Sequence, residues 1–166
     1  MKRTISWLIV LLWMALIFFL SSQPADLSNE LSTGITETIA RAIERIIPGT
    51  EIIIGELNHI VRKNAHFIAY LVLGILTMIA LRNSGAELKR SFLLTMLICV
   101  LYAASDEIHQ LFVPGRGCQV TDVLIDSAGA LVGSGITGAA GLIRRKRKGR
   151  GSKTGNEAGK NQHRGG

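Results

Sequence analysis

Cysteine, proline and aromatic residues are scarce in this 166-residue sequence, which has 2 Cys, 3 Pro and an aromatic fraction of 5%. Cys99 lies inside an apolar run and Cys118 lies in a loop beyond its end, and this separation argues against a disulfide. Two cysteines without nearby paired ligands do not form a zinc-binding pattern either. The sequence also has no H-E-x-x-H, G-x-S-x-G or P-loop motif, so no familiar catalytic signature identifies a reaction.

Charged residues are nearly absent from four stretches and are concentrated between them. The net charge is +7, and nine of the 19 Lys and Arg residues stand at or after Arg144, where Glu157 is the single acid. A basic segment directly after an apolar span is typical of a cytoplasmic anchor, so nucleic acid is not expected as a partner. The composition of residues 144–166 predicts a basic, disordered cytoplasmic tail.

These four stretches, of which only the fourth contains a charged residue, Asp126, approach the roughly 20 residues that a helix needs to cross the hydrocarbon core of a bilayer. They cover residues 5–22, 65–81, 91–105 and 123–143, and the second and third are short enough to need flanking residues. The first contains Trp7 and Trp13 and lacks a small-x-small cleavage site, which favours a retained helix over a signal peptide. The sequence therefore predicts an all-α polytopic protein in the lipid bilayer, with a four-transmembrane-helix bundle as one domain over residues 1–143.

The distribution of basic residues predicts the direction of these spans. Bases occupy residues 2–3, 82–90 and 144–148, which lie on one side of a four-span arrangement. The opposite loops are poorer in bases, since residues 23–64 hold four bases and six acids and residues 106–122 hold only Arg116. The positive-inside rule then places both termini of this multi-pass chain in the cytoplasm and the protein in the cytoplasmic membrane.

The long loop after the first span contains a helical pattern of its own. Apolar residues recur at spacings of three and four over residues 27–47, which predicts an outer amphipathic helix that ends before Pro48-Gly49. This helix either lies along the outer membrane surface or packs on other loops.

Polar and ionisable residues cluster at the outer boundary of the predicted bundle, and such residues are functional candidates because their burial near lipid is costly. The first cluster opens the second span, the second cluster closes the third span, and the third cluster opens the fourth. Their members are Arg62, Lys63, His66 and Tyr70; Asp106, Glu107, His109, Gln110 and Arg116; and Asp122 and Asp126.

Helical spacing predicts which of these side chains share a face. Positions 62, 66 and 70 form one stripe of a helix, as do positions 106, 109 and 110. Asp126 shares a stripe with Ala130 and Ser134, beside a second stripe that contains Gly129 and Gly133. Small residues at this spacing mark close helix–helix contact, so Asp126 is expected to face other helices. The four spans should therefore collect the three clusters into one site, and residues 113–117 should form a tight turn beside it.

These motifs, taken in order, resemble those of the VanZ-like family of bacterial membrane proteins, and the resemblance covers about residues 5–143. It implies an integral protein of the cytoplasmic membrane and, as for the founding member, an effect on susceptibility to the glycopeptide antibiotic teicoplanin. The matching motifs are Ser21-Ser22-Gln23-Pro24, Arg62-Lys63-x-x-His66-Phe67-x-x-Tyr70, Asp106-Glu107-x-His109-Gln110-x-Phe112 with Arg116, and Asp122-x-x-x-Asp126-x-x-Gly129.

The residue types favour a site that binds or modifies a lipid-linked anionic molecule of the cell envelope, such as a cell-wall precursor or a phospholipid. Basic side chains bind phosphate or carboxylate, and imidazole with carboxylate can serve as general acid and base. Whether the site is catalytic is left open, as are a cofactor and a divalent metal held by His, Asp and Glu. The candidates for catalysis are His66, Asp106, Glu107, His109 and Asp126, and the candidates for ligand binding are Arg62, Lys63, Tyr70, Gln110, Arg116 and Asp122.

Two other functions fit the same sequence. In the first, the protein is a non-catalytic structural or accessory membrane protein, whose polar network locks the bundle while a membrane-protein partner or a second copy binds elsewhere. In the second, it is a small transporter or channel subunit, which is less favoured because the carboxylates gather at one end rather than at the membrane midplane.

Overall fold

The computed structural model describes residues 1–46 and 54–162 and contains five helices within them. These are α1 (Lys2–Ser21), α2 (Ala25–Ile46), α3 (Ile54–Asn83), α4 (Leu88–Gln110) and α5 (Val120–Gln162). Four segments are long and apolar enough to cross a membrane: Lys2–Ser21, Leu57–Asn83, Leu88–Gln110 and Val120–Ile143. The chain is therefore the all-α polytopic membrane protein that the sequence predicts.

The second and third spans are longer than the apolar runs that predicted them. α3 starts well before residue 65, and α4 continues past residue 105 to Gln110. The added turns carry charged and polar side chains, which a search for apolar runs excludes. The predicted site residues of these two spans lie on helices, as their spacing predicted, and this fixes their positions relative to each other.

α3 is the central helix, because it contacts each of the other four. Its closest neighbour is α5, and glycines allow this approach. A Cβ atom on Gly129 would collide with the Phe67 carbonyl oxygen, and one on Gly133 would collide with the Leu71 carbonyl oxygen. The small-residue stripe therefore does mark a close helix–helix contact, as predicted.

Large apolar side chains divide between a buried interior and an exposed outer surface. Tyr70, Leu73 and Cys99 are fully buried, whereas Leu12 and Leu101 are more than half exposed. An exposed apolar surface of this kind is expected where a helix bundle contacts lipid tails.

α2 packs on α3 but leaves much of its apolar face exposed. The Thr36 hydroxyl is buried and donates to Asn58 Oδ1 at 3.3 Å, and the Ala25 amide donates to the Pro114 carbonyl at 3.2 Å. Ile35 and Ile39 remain exposed. The predicted end of this helix, at residue 47 before Pro48-Gly49, lies outside the described residues.

α5 continues as a helix to Gln162, beyond the end of the span at Ile143. The sequence instead predicts a disordered tail over residues 144–166. The predicted disorder rests on a composition that is too polar to form a packed core. It stays a prediction for this segment where it is surrounded by water.

Candidate functional site

One end of the bundle, here called the polar end, is where α1 and α4 finish and where α3 and α5 begin. The N-terminal half of α3 carries Arg62, Lys63 and His66, and the last turns of α4 carry Asp106 and Gln110. α5 brings Asp122 and Asp126 to the same end. The structure thus places residues from three distant sequence segments together.

A buried chain of hydrogen bonds joins α1 to α4 at this end. The Ser21 hydroxyl donates to Asp106 Oδ2 at 2.9 Å, and Gln110 Nε2 donates to the Ser21 oxygen at 2.7 Å. All three side chains are at least 95% buried. Ser21 therefore orients the Asp106 carboxylate and leaves its other oxygen, Oδ1, without a hydrogen-bond partner among the described residues.

Two ion pairs join α3 to α5, and they differ in geometry. Lys63 Nζ lies 3.1 Å from Asp122 Oδ1, which is a close pair. His66 Nδ1 lies 3.7 Å from Asp126 Oδ2, which is too long for a hydrogen bond. The Asp126 side chain faces the other helices, as predicted, and is fully buried.

His66, Asp106 and Asp126 form a compact group, here called the trio. Each contributes one possible ligand atom, and these three atoms lie within 4.8 Å of one another. Neither carboxylate oxygen of Asp126 has a hydrogen-bond partner within residues 1–46 and 54–162. Buried carboxylates normally have partners, so this arrangement is suited to accept a proton or a cation.

A small polar pocket opens beside the trio. Its space is about that of a single water molecule, so it can admit one ligand oxygen or one small ion. The lining residues come from α3, α4, α5 and the loop between α4 and α5, and they are Arg62, Lys63, His66, Gln110, Arg116, Asp122, Ile125 and Asp126.

A tight turn holds Arg116 at this pocket, as predicted. The Arg116 amide donates to the Val113 carbonyl at 3.1 Å, and Gly115 has a φ of +73°. Proline followed by glycine is the pattern of a type II turn, because only glycine adopts this φ at no steric cost. Burial lowers the pKa of the Arg116 guanidinium, and the positive charge of nearby Arg62 lowers it further. Two like charges held together in this way attract an anion.

A second cavity, here called the groove, runs between α1, α2 and α3 and has a volume of about 310 Å³. Its walls are mostly apolar, with Ile17, Leu20, Ile35 and Val61 among them. Arg62, His66 and Arg116 line both the groove and the polar pocket. The apolar groove and the polar pocket are therefore adjacent and share three basic side chains.

Four of the predicted candidates line neither cavity: Asp106, which belongs to the trio, and Tyr70, Glu107 and His109. Glu107 Oε2 accepts the Gln119 amide at 2.8 Å, so this side chain anchors the loop before α5. His109 stacks on Phe18 of α1, with ring centroids 4.5 Å apart. Tyr70 is fully buried and packs against Tyr102. The Glu107 contact is structural, whereas the Tyr70 hydroxyl and His109 Nε2 are buried without a hydrogen-bond partner among the described residues.

Ser21 and the groove are parts of the site that the sequence did not predict. Ser21 stands at the end of an apolar run, in a motif that carries no charge, so nothing marked it as a partner of Asp106. Ser28 and Ser32 line the groove from α2, and serines on a helix are ordinarily solvent-facing. Only the packing of α2 beside α3 brings them to a cavity.

These observations define an integral membrane protein of four spans with a polar pocket and an apolar groove at one end of the bundle. A family model for VanZ/LLP1 matches residues 6–141. The chain belongs to this family, which confirms the resemblance seen in the motifs. The matched range includes every residue that lines the polar pocket and the groove. Comparisons with curated proteins and with solved structures gave no match.

Proposed function

We propose that this protein binds a lipid-linked anionic molecule of the cell envelope at the polar end of its bundle. The observation that carries the proposal is the adjacency of the groove and the polar pocket, which share Arg62, His66 and Arg116 as lining residues. A lipid-linked anion has the same two parts, an apolar chain and a charged head group. The groove also falls within the size range of small-molecule sites, roughly 300–1,000 Å³.

Each part of the ligand has a matching group in the protein. Arg62 and Arg116 hold a phosphate or carboxylate, because guanidinium groups bind such anions through paired hydrogen bonds. Lys63 is already paired with Asp122 and contributes less. The apolar chain lies against Ile17, Leu20 and Val61. His66 stands where the two parts meet, and it is the side chain best placed to donate or accept a proton if the ligand is modified.

Loss of both shared arginines should abolish the association with anionic lipid. The test is lipid mass spectrometry on protein purified in mild detergent, comparing wild type with Arg62→Ala/Arg116→Ala. We expect wild-type protein to copurify with a polyprenyl-phosphate or a phospholipid. The amount of this lipid should fall by about tenfold or more in the double variant, since charge-assisted bonds contribute about 1.5–3 kcal/mol each. Arg90→Ala is the matched control, because Arg90 is exposed at the opposite end of the bundle. Equal lipid in all three proteins would contradict the proposal.

The distribution of basic residues supports an orientation in which the polar end faces the outside of the cytoplasmic membrane. The protein contains a reporter for this orientation. Cys118 is free and exposed in the loop between α4 and α5, whereas Cys99 is free and buried. A membrane-impermeant maleimide applied to intact cells should therefore label wild type at Cys118 alone.

The control for labelling is a Cys118→Ser/Glu87→Cys variant, because Glu87 is exposed in the loop at the opposite end. It should react only after the cells are permeabilised. Labelling of this variant in intact cells, or protection of Cys118 in wild type, would reverse the orientation and would place the site on the cytoplasmic face.

Sequestering or altering an envelope precursor gives a route to altered teicoplanin susceptibility, which we propose as the cellular consequence of binding. The family resemblance supports this consequence, and the site supplies a mechanism for it. The inhibitory concentration of teicoplanin for cells with and without the protein is the direct measurement.

The alternative, a structural membrane protein held together by polar contacts, is favoured by one observation. The hydrogen bonds that join Ser21 to Asp106 and Gln110 tie α1 to α4, and the Tyr102 hydroxyl adds a further link by donating to the Met14 carbonyl at 2.6 Å. This alternative requires that isosteric changes in the trio leave cellular function intact, and that a membrane-protein partner or a second copy copurifies with the protein.

A further inference from the structure

The trio has the composition and geometry of a cation site, which goes beyond the proposed binding of a lipid-linked anion. One ring nitrogen and two carboxylate oxygens lie within 4.8 Å of one another, and each comes from a different helix. Two ligands of one tetrahedral zinc ion are about 3.4 Å apart when each bond is about 2.0–2.1 Å. The 3.7 Å between His66 Nδ1 and Asp126 Oδ2 is close to this separation, and small side-chain rotations would make up the difference.

A second observation, independent of the clustering, points to a ligand. Asp126 is fully buried, and neither of its oxygens has a hydrogen-bond partner among the residues that the structure describes. Asp106 is 97% buried, and its Oδ1 also has no hydrogen-bond partner among these residues. Leaving such oxygens unpaired is costly, and a cation among them removes that cost.

Neighbouring cations do not satisfy these two carboxylates. Lys63 lies against Asp122 instead, and Arg116 Nε has no hydrogen-bond partner in the described part of the chain. A single protonated imidazole balances one of the two negative charges. A divalent cation with neutral His66 balances both, which gives a buried group with no net charge.

The surroundings of the trio also resemble those of a metal centre. Ser21 donates to Asp106 Oδ2 and itself receives a bond from Gln110, and such outer contacts orient metal-binding carboxylates. Three protein ligands leave one position open. His66 and Asp126 both line the polar pocket, so the open position can face Arg62 and Arg116.

We propose that His66, Asp106 and Asp126 bind a divalent transition-metal cation, with Zn²⁺ preferred over Mg²⁺. Imidazole suits transition metals, whereas Mg²⁺ demands six oxygen ligands in octahedral geometry. The open fourth position would accept water or an anionic oxygen of the ligand.

The test uses full-length protein purified in detergent, stripped with a chelator and titrated with Zn²⁺ or Mg²⁺ alone. Metal content is measured by mass spectrometry and affinity by calorimetry. Wild type should hold one Zn²⁺ per chain, and His66→Ala and Asp126→Asn should hold none. Ser21→Ala should bind about tenfold more weakly, because outer-shell contacts contribute 10–100-fold to affinity. His59→Ala and Glu87→Gln are matched controls, since both residues are exposed away from the trio.

Folding of each variant is monitored by its thermal unfolding midpoint. Zn²⁺ should raise the midpoint of wild type and of both controls, and should leave that of Asp126→Asn unchanged. Wild-type protein that binds no Zn²⁺, or trio variants that bind it as wild type does, would overturn the metal proposal. Because no lipid is added in this titration, the result stands apart from the proposed function. Zn²⁺ binding without copurifying lipid would count against the lipid ligand alone.

Discussion

Gly133→Ala is expected to lower the thermal stability of the protein markedly, although alanine is the better helix former. A Cβ at this position would collide with the backbone carbonyl of Leu71, and one at Gly129 would collide with that of Phe67. Backbone atoms of two packed helices cannot rotate away, so α3 and α5 must separate. Overpacking of this kind typically costs 1–3 kcal/mol per site, and Gly129→Ala/Gly133→Ala should cost more than either change alone.

The same helix supplies controls with the opposite expected sign. A Cβ on Gly135 or Gly141 has no heavy atom within 4 Å among the surroundings that the structure describes. Gly135→Ala and Gly141→Ala should therefore leave stability unchanged or raise it by up to about 1 kcal/mol through helix propensity. The measurement is the thermal unfolding midpoint in detergent, followed by the fluorescence of Trp7 and Trp13. Equal effects at the contact and control positions would show that α3 and α5 do not pack through these glycines.

The consequence of this contact for the site is direct. Asp126 lies one turn before Ala130, which is fully buried against Gly74 of α3, and His66 lies one turn before Tyr70 on the facing helix. Moving α5 away from α3 would widen the distance from His66 to Asp126. We therefore expect that loss of glycine packing removes Zn²⁺ binding as well as stability.

The sequence predicted those parts of the site that follow from helical periodicity. The i, i+4 spacing of Asp126, Ala130 and Ser134 predicted a buried face, and all three side chains are buried. The topology of four spans then placed His66, Asp106 and Asp126 at one end. These inferences succeed because the bilayer restricts spanning segments to helices, so the position of each residue along a span is known.

The features that escaped prediction depend on packing between helices. The sequence does not predict that Ser21 lies beside Asp106, because the packing of α1 against α4 determines that contact. The groove forms only because α2 packs against α3, although the apolar periodicity of α2 was visible in the sequence. The start of α3 and the end of α4 lie outside the apolar runs 65–81 and 91–105, because Arg62 and Asp106 continue these helices, as the helical spacing of the polar residues predicted.

Asp126→Asn should abolish function while leaving the protein about as stable as wild type. Asparagine has nearly the shape of aspartate, and Asp126 accepts no hydrogen bond from the described residues, so the change removes only the long ion pair with His66. It also removes a buried charge whose desolvation opposes folding. We expect stability within about 1 kcal/mol of wild type, together with loss of Zn²⁺ binding and of any effect on teicoplanin susceptibility.

Ser21→Ala is the contrasting variant, because it leaves the trio in place and removes its support. The Asp106 carboxylate loses its donor and the Gln110 amide loses its acceptor, and each unsatisfied buried group costs about 1–3 kcal/mol. This variant should lose stability while it retains part of the Zn²⁺ binding.

A polar network that only locks the helices predicts a different pattern for Asp126→Asn, in which cellular function survives because no hydrogen bond is lost. If wild type alters teicoplanin susceptibility as proposed, cells that carry Asp126→Asn separate a binding site from a structural lock: a variant that alters susceptibility as much as wild type does would rule out the binding site.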